Sequence, residues 1–581
     1  MKEYKGVQHF DGKFLKLNDV VLEKPDKDAI VLALKDIDKR LVASKDGKEA
    51  VQVIRDYFAL EDDIATTFDL IYIRHSIDTR DEYYSSLNKW MDENSPEIQN
   101  ADHQVQEHFL SCPFRKDLED AFGTLIFEKA KLSSKTFKPE IMEDLGKENS
   151  LVSSYIELTG KALISYKGKE YSLPQMGKFT TSPNREVRKE ASTLVWNFYK
   201  DNEEKIGKIY DDMVKVRTKI ARTLGYKNFL QLAYDRMGRL DWTPADAKIY
   251  REKIKKYIVP LSEKIFTDQA KRVLPEGGMK FYDWVIFYKT GNPKPQGDIK
   301  TLVEAASRMY KEMSPVASKY FDFMVDHGCL DLEAKPGKGP GGYMEYIPGL
   351  KTSFIFSNAN GTSGDVEVLT HEFGHSLQGF LGGDIEVPDY RAPGYECCEM
   401  HSMSMEYLTY PWMKYFFKQD TDKFLYQHLC DAITFIPYGA IVDAFQTYAY
   451  ENPDKTPAER EAYWRELEKE YLPHRTYEGN DFLERGGYWM RQPHIFENPI
   501  YYLDYTIAQV VSLEFFLASE KDWQKTFDKY IAFDKLAGRY PFRSLLAKAG
   551  IENPMDNDTL EEVSRGVMEY LSKFSPEEID K

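Results

Sequence analysis

Residues 371–375 read His-Glu-Phe-Gly-His, and Glu399 follows at the head of Glu-Met-His-Ser-Met-Ser-Met-Glu. On a helix, His371 and His375 lie one turn apart on one face and can share a metal ion. Glu372 is turned about 100° around the axis, where it meets a metal-bound water rather than the metal. Two imidazoles and a carboxylate, with a fourth position left to water, are the ligands of a catalytic zinc ion and not of a structural one. The pattern points to hydrolysis of a peptide bond by a metal-activated water.

The elements that must hold these groups are legible on either side of them. Thr362-Ser-Gly-Asp365 resembles a capping box, so a helix is expected over 364–381, ended by Gly382-Gly383. Ahead of it, 342–347 and 353–359 read as strands joined by Pro-Gly-Leu-Lys. An edge strand beside a metal-bearing helix can add an extended peptide as a further strand, so Phe354, Phe356 and Asn358 are expected to bind substrate. Residues 335–342, Lys-Pro-Gly-Lys-Gly-Pro-Gly-Gly, are expected to form a mobile surface loop. They lack the order of a phosphate-binding loop, and the prolines remove amide donors.

Helical spacing of apolar residues dominates the remainder, over 26–60, 78–94, 101–132 and 185–224. Residues 242–272 open a helix with Thr243 as N-cap and Pro244 in the first turn. A short strand pair is expected at 161–174, around Lys-Gly-Lys.

The chain has 581 residues, 42% of them hydrophobic and 14% aromatic, ample for a large core and outside the disordered class. A formal net charge of −17 argues against nucleic acid or an anionic membrane as partner. No run approaches the roughly 20 apolar residues that span a bilayer. The opening residues lack the apolar stretch of a signal peptide, so a cytoplasmic location is expected. Five sparse cysteines suit reduced thiols rather than a disulfide framework. Cys397 and Cys398 lie beside Glu399 but are adjacent and lack the spacing with which two thiolates grip one ion, and they read as small buried hydrophobes.

Spacing alone leaves the third metal ligand open among Asp384, Glu386, Asp389, Glu396, Glu399, His401 and Glu406. Glu399 and Glu406 share a helix face, so one can ligate while the other supports a ligating histidine. His401 points elsewhere on that helix.

These motifs resemble the thimet oligopeptidase family, in its oligoendopeptidase F and Pz-peptidase branch. The resemblance extends to Asn-Gly-Thr-Ser-Gly-Asp-Val (360–366), to Arg-Thr-Lys-Ile-Ala-Arg-Thr-Leu-Gly-Tyr (217–226), and to Arg-Gln-Pro-His-Ile-Phe-Glu-Asn-Pro-Ile-Tyr-Tyr-Leu-Asp-Tyr (491–505). It implies His371, His375 and Glu399 as ligands of one zinc ion, with Glu372 as general base. It also implies that His494 and two tyrosines stabilise the oxyanion. Tyr502 and Tyr505 fit that register, with Tyr501 as the alternative. Gln378 stands where many members carry a further histidine, a position that is not a ligand in the family.

The fold implied is mostly α: a large, bilobed, zincin-like body enclosing a deep substrate channel, with a small β element beside the site. Residues 1–180 are expected to form a helical lid lobe and 181–581 the catalytic domain. The expected activity is zinc-dependent cleavage of internal bonds in short unstructured peptides, with oligomeric state left open. A dipeptidyl carboxypeptidase of the same family and a non-catalytic zinc-containing peptide-binding protein are the alternatives. The first needs a cationic contact for a substrate carboxylate, and no sequence feature locates one. Gly486-Gly487 reads either as a loop that closes on substrate or as an ordinary turn.

Overall fold

The computed structural model describes residues 16–273, 278–477, 479–556, 558–575 and 579, so the opening residues lie outside the described part. The protein is mostly α. Side-chain caps cut the long periodic stretches into shorter helices. The Asp46 carboxylate accepts from Glu49 N at 2.9 Å, which starts a new helix, Gly47–Ile77, inside the stretch 26–60. Asn202 separates Arg185–Asp201 from Glu203–Thr223. Conversely, Glu82–Leu110 runs through Pro96 and joins two stretches that read as separate. Pro244–Tyr257 opens as expected, with Thr243 N donating to Asp246 at 2.8 Å.

Five strands occur among the described residues: β1 (Ile164–Tyr166), β2 (Lys169–Tyr171), β3 (Leu330–Glu333), β4 (Tyr343–Ile347) and β5 (Thr352–Ala359). Lys167 and Gly168, both with positive φ, make the tight turn between β1 and β2.

The chain divides into two compact units, each assembled from separate stretches. The first takes the chain up to Ser134, Lys294–Lys418 and Ala518–Gly550; the second takes Lys135–Pro293, Gln419–Leu517 and the chain from Ile551. The boundary read at 180/181 lies inside the second unit.

In the first unit, β5 is the central strand of the order β3-β5-β4, parallel to β3 and antiparallel to β4. This corrects the reading of 353–359 as an edge. Both sides of β5 are occupied by neighbouring strands, and Phe354 and Phe356 are buried. Asn358 is also engaged, its amide donating to the carbonyls of Gly339 at 2.8 Å and Gly341 at 2.9 Å. None of the three is presented for strand addition. The missing information was β3, a four-residue strand far upstream in sequence.

Loop 335–342 lies largely at the surface and is tied down at Lys338 and Gly339. The Lys338 ammonium is fully buried and donates to oxygens of Asp331, Glu333 and Ser357 at 2.5–2.9 Å, over the Phe356 ring. Gly339 N donates to Ser76 O at 2.8 Å.

On β4, Glu345 faces Asp69 of helix Gly47–Ile77. Burial, then the neighbouring charge, pushes the Asp69 carboxyl up to about 9; burial pushes Glu345 up to about 7. The folded chain thus keeps protons here that unfolded carboxyls release near pH 4. This pair therefore lowers stability as pH rises from about 4 to about 9. Asp69→Asn should reduce the fall in denaturant midpoint between pH 5 and pH 8.5 relative to the parent chain; an unchanged fall would rule out the pair as its source.

Candidate functional site

Helix Gly364–Gly382 carries the two histidines and packs on the sheet. Its entry is held differently from the expected capping box. Asp365, inside the first turn, accepts from Asn360 N at 2.9 Å and Gly361 N at 2.7 Å, while Thr362 N and hydroxyl donate to the Asn360 side chain. Helix Tyr395–Leu408, which carries Glu399 and Glu406, crosses it closely. A Cβ on Gly374 would stand 2.7 Å from His401 O and from Ser402 Cα. Only hydrogen fits at that point.

The crossing brings one Glu399 oxygen to 3.1 Å from His371 Nε2 and 3.3 Å from His375 Nε2. One donor atom from each of the three residues falls within 4.8 Å of the others, as binding to one ion requires. The opposite nitrogen of His371, Nδ1, lies 2.7 Å from Glu406 Oε1. Ser402, one turn after Glu399, donates to Glu399 Oε2 at 3.0 Å.

Electrostatics follow from that packing. Burial disfavours a charged His371, yet Glu399 and Glu406 at its two nitrogens raise it well above the usual imidazole value. Burial also works against a charged Glu399, and the two histidines outweigh it, holding its carboxyl well below the usual range. Burial pushes Glu372 up. Carboxylates that keep a proton on an imidazole also favour a divalent cation in its place. Two imidazoles and an ionised carboxylate are a donor set that zinc accepts.

His401 is turned away from this group: its Nδ1 lies 2.5 Å from Asp534 Oδ1 in a buried contact, and Tyr530 OH donates to its carbonyl at 2.9 Å. Cys397 is buried and Cys398 Sγ donates to Pro393 O at 3.4 Å, so neither joins the donor group. Gln378 donates to Arg391 O at 2.8 Å.

The second unit holds the histidine–tyrosine cluster. His494 opens the short helix His494–Glu497, and helix Tyr502–Ser519 follows. The His494 ring lies edge-to-face with Tyr502 at 5.0 Å and Tyr505 at 5.8 Å, and Tyr501 packs on Tyr505 at 4.9 Å. Tyr438 OH donates to Gln492 Oε1 at 2.8 Å, which turns the Gln492 amide nitrogen onto His494 Nδ1, also at 2.8 Å. In this arrangement the ring proton sits on Nε2. Burial raises Tyr502 above the usual phenol value and keeps its O–H as a donor. Under the tyrosines, buried Arg239 donates to Asp504 at 2.7 Å and to Ile500 O at 2.9 Å.

Residues 17–137 match the Peptidase M3 N-terminal domain, and residues 178–564 match Peptidase family M3. The chain belongs to peptidase family M3. The solved structure of Pz peptidase A with inhibitor 2 is 39% identical, with a TM-score of 0.91 over 97% of this chain and 100% of that one. Oligopeptidase PepF of Bacillus subtilis strain 168 is 22% identical over 526 residues, 83% of this chain and 74% of its own length. The oligoendopeptidase F homolog of Borreliella burgdorferi is 22% identical over 491 residues, 79% of each chain. This protein is therefore a metallopeptidase enzyme.

Sequence reasoning missed four supports in this M3 peptidase. Ser402 was signalled by its spacing from Glu399, one helical turn. Gln492 stood inside the motif that holds His494. Arg239 and Asp534 gave no signal, since their partners are distant in the chain.

The pair of glycines at 486–487 forms a packed turn. Gly486 has φ +103°, and a Cβ there would stand 2.0 Å from Glu461 O. No hinge is needed to explain it.

Gly374→Ala is expected to force the two helices apart, at a cost of about 1–3 kcal/mol. Denaturant unfolding together with metal content per chain tests this. Full metal content at unchanged stability would mean that the crossing tolerates a methyl group.

Proposed function

We propose that this M3 peptidase hydrolyses internal bonds of short, unstructured oligopeptides, with one zinc ion held by His371, His375 and Glu399. The observation that carries this reading is the convergence of their three donor atoms within 4.8 Å. When bound, zinc supplies a Lewis acid for the scissile carbonyl and a water of lowered pKa.

The chain's own residues do the rest. Glu372, raised by burial, accepts a proton from the attacking water and returns it to the leaving nitrogen. Glu406 orients His371 through Nδ1 and favours the tautomer whose Nε2 lone pair faces the donor group. His494, Tyr502 and Tyr505 are neutral donors suited to the oxyanion that forms on the carbonyl, with Tyr501 behind them. Neutral donors matter because negative charge appears only in the transition state, so they favour it over bound substrate.

The Pz peptidase and oligoendopeptidase F relatives support oligopeptides as the substrate class. No helix among the described residues is long and apolar enough to cross a membrane, and none of the five cysteines forms a disulfide. The free thiols suit the cytoplasmic location we propose. An exopeptidase reading is separated by its products: mass spectrometry of a digested peptide should show internal fragments, and release of terminal dipeptides alone would exclude endopeptidase action.

Glu372→Gln should retain zinc, measured by atomic emission, while kcat falls about 10²–10⁴-fold. Substantial activity in that variant would remove Glu372 as the base, and activity that survives a chelator would remove the metal. Tyr505→Phe should lower kcat more than it raises KM; a change confined to KM would make Tyr505 a substrate contact only.

A further inference from the structure

The second unit contains a cavity of about 620 Å³, within the size range of ligand sites. Its walls are aromatic, with Trp196, Trp284 and Tyr488 among them, and its charged lining is Arg475, Arg491, Asp431 and His474. The two guanidiniums are under-compensated. Arg491 stands 5.6 Å from the Trp196 ring and 5.5 Å from Tyr488, with no carboxylate partner among the described residues. Arg475 lies over Trp284 at 4.9 Å and Tyr488 at 4.7 Å. Its nearest carboxylate oxygen, Glu468 Oε1, is 3.4 Å from Nη1, and its buried Nε has no partner. Glu468 is shared, since Tyr477 OH donates to it at 2.5 Å and Arg465 lies 3.5 Å away. His474 is occupied by Glu263 at 2.5 Å.

An aromatic wall with a solvent-exposed Arg491 and a half-buried Arg475 beside it selects a flat or apolar group that carries an anion. Arginine binds carboxylates through paired N–H groups, and the rings offer apolar area to the group that carries the carboxylate. The cavity also adjoins the histidine–tyrosine cluster. Arg475 and Tyr488 both pack on Tyr438, at 5.4 and 6.0 Å. Tyr438 in turn packs on Tyr502 at 5.9 Å and reaches His494 through Gln492. One side-chain layer separates the two. At about 3.3 Å per extended residue, a peptide at His494 reaches the cavity within a few residues.

We propose that this cavity is a carboxylate-binding subsite for peptide substrates, with Arg491 pairing with the carboxylate, Arg475 reinforcing it, and Trp196 and Trp284 packing on the flanking side chain. The proposal rests on the oligopeptidase reading above. The carboxylate is either the peptide C-terminus or an Asp or Glu side chain.

The test uses the zinc-loaded full chain and one fluorogenic heptapeptide in three forms: free C-terminal acid with an internal Asp, its C-terminal amide, and the acid with Asp→Asn. Binding of the same peptides to Glu372→Gln protein is read from tryptophan fluorescence. A C-terminal source raises KM about tenfold for the amide only; a side-chain source raises it about tenfold for the Asn form only. In either case Arg491→Gln should erase the difference, leave kcat on the weaker peptide within about twofold, and be partly rescued by Arg491→Lys. Equal KM for all three forms in the parent chain, or a difference that persists in Arg491→Gln, overturns the proposal. If no form is hydrolysed while fluorescence still ranks acid above amide or Asp above Asn in an Arg491-dependent way, the subsite stands and the oligopeptidase reading falls.

Discussion

The candidate metal centre depends on how closely two helices cross. Ligands on one helix fix only two of the three donor atoms, and the third must come from a chain segment beyond the end of that helix. Gly374, between the two histidines, lets the backbone of the second helix come within contact distance, and Glu399 then reaches both imidazoles with one oxygen. A side chain at 374 would meet the backbone of His401 and Ser402 and press the helices apart.

Around that crossing, buried polar groups are kept in order by partners with few alternatives. Glu406 holds one nitrogen of His371, Ser402 holds one oxygen of Glu399, and Asp534 ties His401 into the core beside the site. Each of these is costly to bury alone and is stable only in its pair. The second unit uses the same device with larger cations. Arg217 is wholly buried and donates to Glu148 at 2.7 Å, Tyr450 at 2.8 Å and Phe496 O at 2.6 Å, and Arg239 anchors the start of the tyrosine helix. Such pairs contribute little net stability, but breaking one leaves a buried charge, so they specify where the helices sit.

Much of this was legible in the residues. The helix through His371 and His375, its glycine end, strand β4 and the hairpin at 164–171 follow from local periodicity and turn chemistry. Helix breaks were less legible, because a single cap such as Asp46 interrupts a stretch whose apolar spacing is continuous. The status of β5 was not legible at all. Whether a strand is central or at an edge depends on its neighbours, and β3 is a short segment more than a helical length away in the chain. The ties of the loop at 335–342 were not legible either, because its glycines and prolines do not show that β3 and β5 supply acceptors for the Lys338 ammonium.

By itself, then, the sequence determined the chemistry: a helix with two imidazoles and a carboxylate beside them, a nearby run of acidic candidates for the third ligand, and a downstream histidine among tyrosines. These are set by side-chain type and helical pitch, which act over a few residues. Tertiary structure alone decided which carboxylate meets the histidines, which strand lies inside the sheet, and which arginines end in an aromatic cavity with too few carboxylates. Those depend on contacts between segments far apart in the chain, where packing and the cost of an unpaired buried charge select one arrangement.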